Sequence, residues 1–162
     1  MKKRQQKRMP KEVSVVVVAL FAPTLVGIYD NETKELLESY ESHEKSSEYL
    51  PILFKDLLKQ YNIKNLAYAK GPGSFMAIKV AYVFLKTLSI TLNISFTAQN
   101  GFYFNENSPI KAIGKLFFVN EYEEIITKSF EEIPKSKFSL PKQFNQEDFL
   151  EDTEPLYVIP AV

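Results

Sequence analysis

Residues 13–22 form an apolar run broken only by Ser14, with Val15, Val16, Val17 and Val18 at its centre. Consecutive β-branched side chains favour the pleated backbone, so residues 15–20 read as a strand buried on both sides. The run is far shorter than the roughly 20 residues a membrane span needs. It follows a basic head of Lys2, Lys3, Arg4, Lys7, Arg8 and Lys11, and Ala19 and Ala22 are spaced like a secretory cleavage signal. The valines and Pro23 argue against that export reading. The expectation is a flexible basic tail over residues 1–11 ahead of a central strand.

Such a strand demands a sheet, and the chain supplies its other members. Residues 25–29 read as a second strand, joined to the first by the short link at 21–24 with Pro23, which makes an antiparallel hairpin. Asp30, Asn31 and Glu32 mark the next turn, and residues 34–40 read as a third strand. After a polar loop with Ser46 or Ser47 as helix cap, Leu50, Leu53, Phe54, Leu57, Leu58 and Tyr61 recur at helical spacing. That predicts a helix over 48–61. A short strand at 65–69 passes through Lys70, Gly71, Pro72, Gly73 and Ser74 into a second helix over about 75–92. Strands at 94–98 and 111–119 follow, separated by a loop rich in Asn and Phe.

Beyond Asn120, charge and aromatic residues alternate, and Pro134, Pro141 and Pro155 cut the chain into short pieces, with one last strand expected at 156–159. The expected class is α/β with a mixed sheet flanked by helices. The expected organisation is the tail at 1–11, a first domain at 12–109 and a shorter second subdomain at 110–162. The chain of 162 residues has no cysteine, which excludes a disulfide framework and thiol catalysis. Its single histidine, His43, lies among charged residues and reads as a solvated loop residue rather than a base or zinc ligand. A cytoplasmic, metal-free protein with no membrane association and no cofactor of its own is expected.

The second helix carries more apolar surface than one core stripe uses. Ala77, Ile78, Ala81, Phe84, Leu85, Leu88 and Leu92 share one side at 100° per residue, while Phe75, Met76, Tyr82, Val83 and Ile90 lie on others. Only a lane holding Lys79 and Lys86 is clearly polar. In the first helix, Tyr49 and Ile52 also sit outside the main stripe. These features predict a helical contact surface for another chain, built from Tyr49, Ile52, Leu53, Phe75, Met76, Lys79, Tyr82, Val83 and Lys86.

A strand leading through Gly71, Pro72, Gly73 and Ser74 into a helix suits either an anion near the helix N-terminus or simply a sharp turn with close helix approach. The spacing matches neither a P-loop nor a dinucleotide fingerprint. The longer stretch Ala67-Tyr-Ala-Lys-Gly-Pro-Gly-Ser-Phe-Met-Ala-Ile-Lys-Val-Ala81, with Leu92-Asn-Ile-Ser95 after it, resembles the TsaB (YeaZ) pattern G-x-G-P-G-S-F-T-G-[LV]-R-[IV]-G and L-N-I-P. Ser46-Ser-Glu-Tyr-Leu-Pro51 is similar to the H-S-E-x-L-P that opens the preceding helix of that family, with Ser46 in place of histidine. The likeness is strongest over residues 45–95.

What the resemblance implies is an actin/Hsp70/sugar-kinase-like (ASKHA) first half, an abbreviated second half, and a scaffold subunit without chemistry of its own. It implies pairing with the catalytic homologue TsaD, or with a second copy as a homodimer when alone, recruitment of TsaE to that pair, and indirect contact with tRNA during threonylcarbamoylation of adenosine 37. ATP and magnesium are then implied for the partner complex only. The family's D-T-S-T turn is replaced here by Ala19-Leu-Phe-Ala-Pro23, which leaves no carboxylate or hydroxyl for a magnesium-assisted phosphoryl transfer and makes the glycine turn vestigial. Two other readings are open to the sequence: a small ATP-dependent kinase or peptidase of the same fold, and an RNA-binding module carried by the basic head.

Overall fold

The computed structural model describes residues 9–134 and 137–158. The basic side chains Lys2, Lys3, Arg4, Lys7 and Arg8 lie outside the described residues, as does the end of the expected last strand. Strand β1 (Lys11–Val18) begins earlier than the valine run suggests, because Lys11 already pairs with Tyr61 and its ammonium meets Asp30 at 3.3 Å. β2 (Thr24–Asp30) returns antiparallel through a tip that contains a cis Ala22–Pro23 bond, and β3 (Leu36–Ser42) adds antiparallel to β2. The turn between them is closed by Asp30, whose carboxylate accepts from the Glu32 and Thr33 amides at 2.8 and 3.0 Å.

Helix α1 (Ser46–Gln60) is capped by Lys45 rather than by a serine side chain. The Ser46 hydroxyl is engaged elsewhere, 3.1 Å from that of Thr24 at the start of β2. Leu50, Leu53, Phe54 and Leu57 form the buried stripe. Tyr61 leaves the helix instead of extending it: its backbone is extended (φ −128°), its N–H still donates to Leu57, and β4 (Tyr61–Ala69) starts there. Helix α2 (Phe75–Leu92) follows the glycine turn and stops where Asn93 takes a left-handed conformation, φ 53°, a position that asparagine tolerates better than most residues. β5 (Ser95–Gln99) then pairs parallel with β4, giving the order β3-β2-β1-β4-β5 with β1 at the centre.

The expected strand over 111–119 is in fact two. β6 (Ile110–Lys111) and β7 (Leu116–Glu121) are separated by a turn in which Gly114 has φ +58°, and β8 (Glu124–Ser129), not foreseen, completes a three-stranded antiparallel sheet. Residues 156–158 form no strand, although the Leu156 amide donates to the Lys70 carbonyl at 2.7 Å.

Both faces of the large sheet are covered. Cross-strand neighbours share a face, so Val13, Val15 and Val17 lie with Val26 and Ile28, on the side packed by α1 and α2. Ser14 and Val16 lie with Tyr29 and Gly27 on the other side, which residues 138–149 cross. There Tyr29 packs on Phe144 at 5.9 Å and donates its hydroxyl to the Pro141 carbonyl at 2.7 Å. A Cβ on Gly27 would come within 2.8 Å of the Tyr29 ring and 3.2 Å of Leu140, so the absence of a side chain there lets the crossing segment sit close. Asn65 fills the polar corner of this face, donating to Ser14 Oγ at 3.0 Å and Asn31 Oδ1 at 2.9 Å.

Burial raises the phenol pKa of Tyr29 and Tyr68, and raises those of Tyr61 and Tyr103 to about 12. The unfolded chain therefore releases these protons first, near the ordinary value of about 10. These phenols leave stability unchanged from neutral pH up to that value and make it fall steadily above it. A urea midpoint series across the alkaline range checks this, and Tyr29→Phe should lessen the slope while costing about 1 kcal/mol of stability at neutral pH through loss of the bond to Pro141.

Candidate functional site

Helix α2 touches neighbours on only part of its circumference. Ile78, Ala81, Leu85 and Ser89 face the sheet and are buried. On one flank Phe84 meets Phe54 of α1 in an edge-to-face pair at 5.3 Å. On the opposite flank the C-terminal segment runs alongside. Tyr157 packs edge-on against Phe75 at 5.2 Å, and Tyr82 lies near Glu154, with its ring beside Tyr68 and Phe96. Tyr68 in turn donates to the Thr153 carbonyl at 2.5 Å.

The remaining sector is open. Met76 is 70% exposed, Val83 53% and Ile90 69%, each seven residues from the next. Val80 and Thr87 lie between them, so the series Met76, Val80, Val83, Thr87, Ile90 has the alternating four and three spacing of a helix-pairing seam. Lys79 and Lys86, both exposed, run along one rim. Beside the seam a groove of about 560 Å³ opens between the helices, walled by Pro51 and Ser47 of α1 and by Lys79, Val80, Val83, Phe84 and Leu88 of α2. Its lining is mostly apolar side chain. Large apolar groups held in water at this density forgo about 1.5–3 kcal/mol each relative to burial.

The expected contact residues do not all share this surface. Met76, Lys79 and Val83 border the groove, Lys86 lies on the far rim, and Ile52 is 66% exposed on the outer side of α1. Leu53 belongs to the core instead, only 9% exposed, because the inner stripe of α1 is centred on Leu50, Phe54 and Leu57 and includes it. Tyr49 is half-buried against the core, and Tyr82 and Phe75 are engaged by the C-terminal segment. Leu92, assigned by spacing to the core stripe, is exposed at the end of α2, while Ser89 is buried in its place. Val80, Thr87 and Ile90 were absent from the expected set, and the seven-residue recurrence was the signal that would have found them.

Gly71, Pro72, Gly73 and Ser74 are packed against their own chain. Gly71 has φ +125°, and a Cβ there would stand 2.5 Å from the Leu156 carbonyl. A Cβ on Gly73 would stand 2.9 Å from Leu20 Cβ, while the Ser74 amide donates to the Leu20 carbonyl at 3.0 Å. The Gly71–Pro72 bond is cis, and the Gly71 carbonyl accepts from Gly101 at 2.8 Å. Ser74 Oγ caps α2, 3.5 Å from the Ala77 amide, and His43 is exposed in the loop between β3 and α1. Among the described residues no three His, Cys, Asp or Glu side chains converge as a metal site would require. The turn is thus packed closely against Leu20, Leu156 and Gly101 of its own chain.

By length and composition α2 alone among the described helices would suffice to cross a membrane, and its inner stripe is packed on the sheet. No protein-family model matches the sequence, and no curated protein matches it. The fold does have solved counterparts. The structure of YeaZ from Pseudomonas aeruginosa superposes with a TM-score of 0.58 at 13% identity, covering 79% of this chain and 65% of that one. An uncharacterized protein with similarity to peptidase YEAZ from Pseudomonas aeruginosa superposes with a TM-score of 0.57 at 12% identity, covering 79% and 64%. The chain therefore has the YeaZ fold, of the ASKHA-like class, and it spans less than two thirds of the length of these counterparts.

Gly71→Ala should be costly, since it combines a positive φ with a clash against backbone. A loss of about 1–3 kcal/mol in chemical denaturation is expected. Ser74→Ala should lose only a helix cap, about 1 kcal/mol.

Proposed function

We propose that this chain is a scaffold subunit that pairs through α2 and the adjoining edge of α1 with a catalytic homologue of the TsaD kind, in the machinery that places threonylcarbamoyl on adenosine 37 of tRNA. In this reading the protein works in the cytoplasm, does no chemistry itself, and meets TsaE and tRNA only through the pair. The observation that carries the proposal is the exposed seam of Met76, Val80, Val83, Thr87 and Ile90 with its lysine rim. A continuous apolar seam at heptad spacing is the form in which one helix meets another, and cations along one rim orient the partner through its acidic residues.

Two further observations support it. The YeaZ fold provides the setting implied by the motif around Gly71, Pro72, Gly73 and Ser74. That motif is packed against Leu20 and Leu156, and among the described residues no base is hydrogen-bonded to the Ser74 hydroxyl, which favours scaffold over peptidase or kinase.

Co-purification of this chain with TsaD from the same organism tests the proposal. The wild type should give a stable complex, and Val83→Glu, which places an unpaired carboxylate in the seam, should weaken it by at least about a hundredfold without changing the melting temperature of the free chain. Charge reversal at Lys79 and Lys86 should mainly slow association and reduce its salt dependence. Failure of the wild type to bind TsaD under any nucleotide condition would remove the reading.

A further inference from the structure

A second concavity, which shares no lining residue with the groove beside the α2 seam, lies between the tip of the β1–β2 hairpin and the small sheet, with a volume of about 330 Å³. The hairpin contributes Phe21, Pro23 and Leu25, and the small sheet contributes Ile110 and Phe117, both nearly fully buried. Phe138 closes one side, its ring almost parallel to that of Phe21, with centroids 6.4 Å apart and planes inclined by 19°. Hairpin tips are ordinarily polar, since they face water. Here the tip is apolar and aromatic, yet it leaves a space rather than collapsing onto the wall opposite.

Charge at this site is also one-sided. Lys111 and Lys137 both border the cavity, and neither makes an ion pair with any described residue. Glu41 is the sole carboxylate among the described lining residues, whose formal balance is positive by one. An apolar void of this size forfeits the contacts its walls would otherwise make, and about 300–1,000 Å³ is the usual range of small-molecule sites. The near-parallel phenyl rings suit a flat ring system better than a branched aliphatic one, because offset stacking adds to area burial.

We propose that this cavity is a binding site for a small aryl carboxylate, with its rings against Phe21, Phe138 and Phe117 and its carboxylate at Lys111 and Lys137. The site is separate from the α2 seam, so it stands whether or not the chain pairs with TsaD.

Isothermal titration of the full chain with 2-naphthoate, and with neutral 2-naphthalenemethanol of the same shape, tests this. One-to-one binding of 2-naphthoate is expected, with the alcohol at least about tenfold weaker. Lys111→Gln with Lys137→Gln should bring the carboxylate down to the affinity of the alcohol. Leu25→Trp, which fills the space from a half-buried position, should abolish binding of both. Thermal melts of each variant confirm that it is folded. Absence of saturable binding by the wild type up to about 5 mM, equal affinity for acid and alcohol, or undiminished binding by a folded Leu25→Trp chain would each overturn the proposal.

Discussion

Everything in the molecule is arranged around the double pairing of β1, antiparallel to β2 on one side and parallel to β4 on the other. A strand so placed has no edge and no solvent face. Its valines at 13 and 15–18 are accordingly buried, and each face of the sheet must be closed by something else in the chain. One face receives two helices, as parallel pairing requires, because the connections β3 to β4 through α1 and β4 to β5 through α2 have to pass over it. The other receives a long non-repetitive segment whose anchoring groups are Phe144, Phe149 and the Tyr29 hydroxyl.

Those two solutions differ in how much of themselves they bury. The crossing segment contributes aromatic side chains singly and turns its charged residues outward. A helix cannot do that when its sequence is apolar on most sides, and α2 is such a helix. The sheet, α1 and the C-terminal residues each take a share of its circumference, and the seam through Met76, Val83 and Ile90 is what remains. The exposed surface is therefore a remainder set by geometry as well as by composition, which is why helical angle alone grouped Tyr82 with it. Angle tells which residues point alike; it does not tell which neighbours arrive. Tyr82 is engaged by Glu154, seventy-two positions away in sequence, and no local pattern announces that contact.

The same distinction separates what was legible in the chain from what was not. β1, β2, α1, α2 and the glycine turn carry period-two or period-3.6 patterns, or turn residues with fixed backbone demands, and each was read from the sequence to within a few residues. The small sheet was half seen, since Gly114 splits the segment into β6 and β7, and in β8 the adjacent Ile125 and Ile126 break the alternation that would mark a strand. Residues 138–156 have no period at all. Their order comes from long-range partners such as Pro141 to Tyr29, Leu150 to Ala98 and Thr153 to Tyr68.

The glycine turn shows how a local motif acquires its meaning only from what packs on it. A strand, a glycine turn and a helix N-terminus make a place where backbone amides converge, and the same backbone serves equally to hold an anion or to bring two chain segments together. Which use prevails depends on what stands opposite. Here Leu20 presses on Gly73 and the Leu156 carbonyl on Gly71, both at distances that exclude even a methyl group. The side of these glycines on which a Cβ would stand is occupied by Leu20, just past the end of β1, and by the C-terminal segment. The turn has become the joint that fixes the start of α2 against β1, and by fixing it there it sets the angle at which the free seam of the helix is presented.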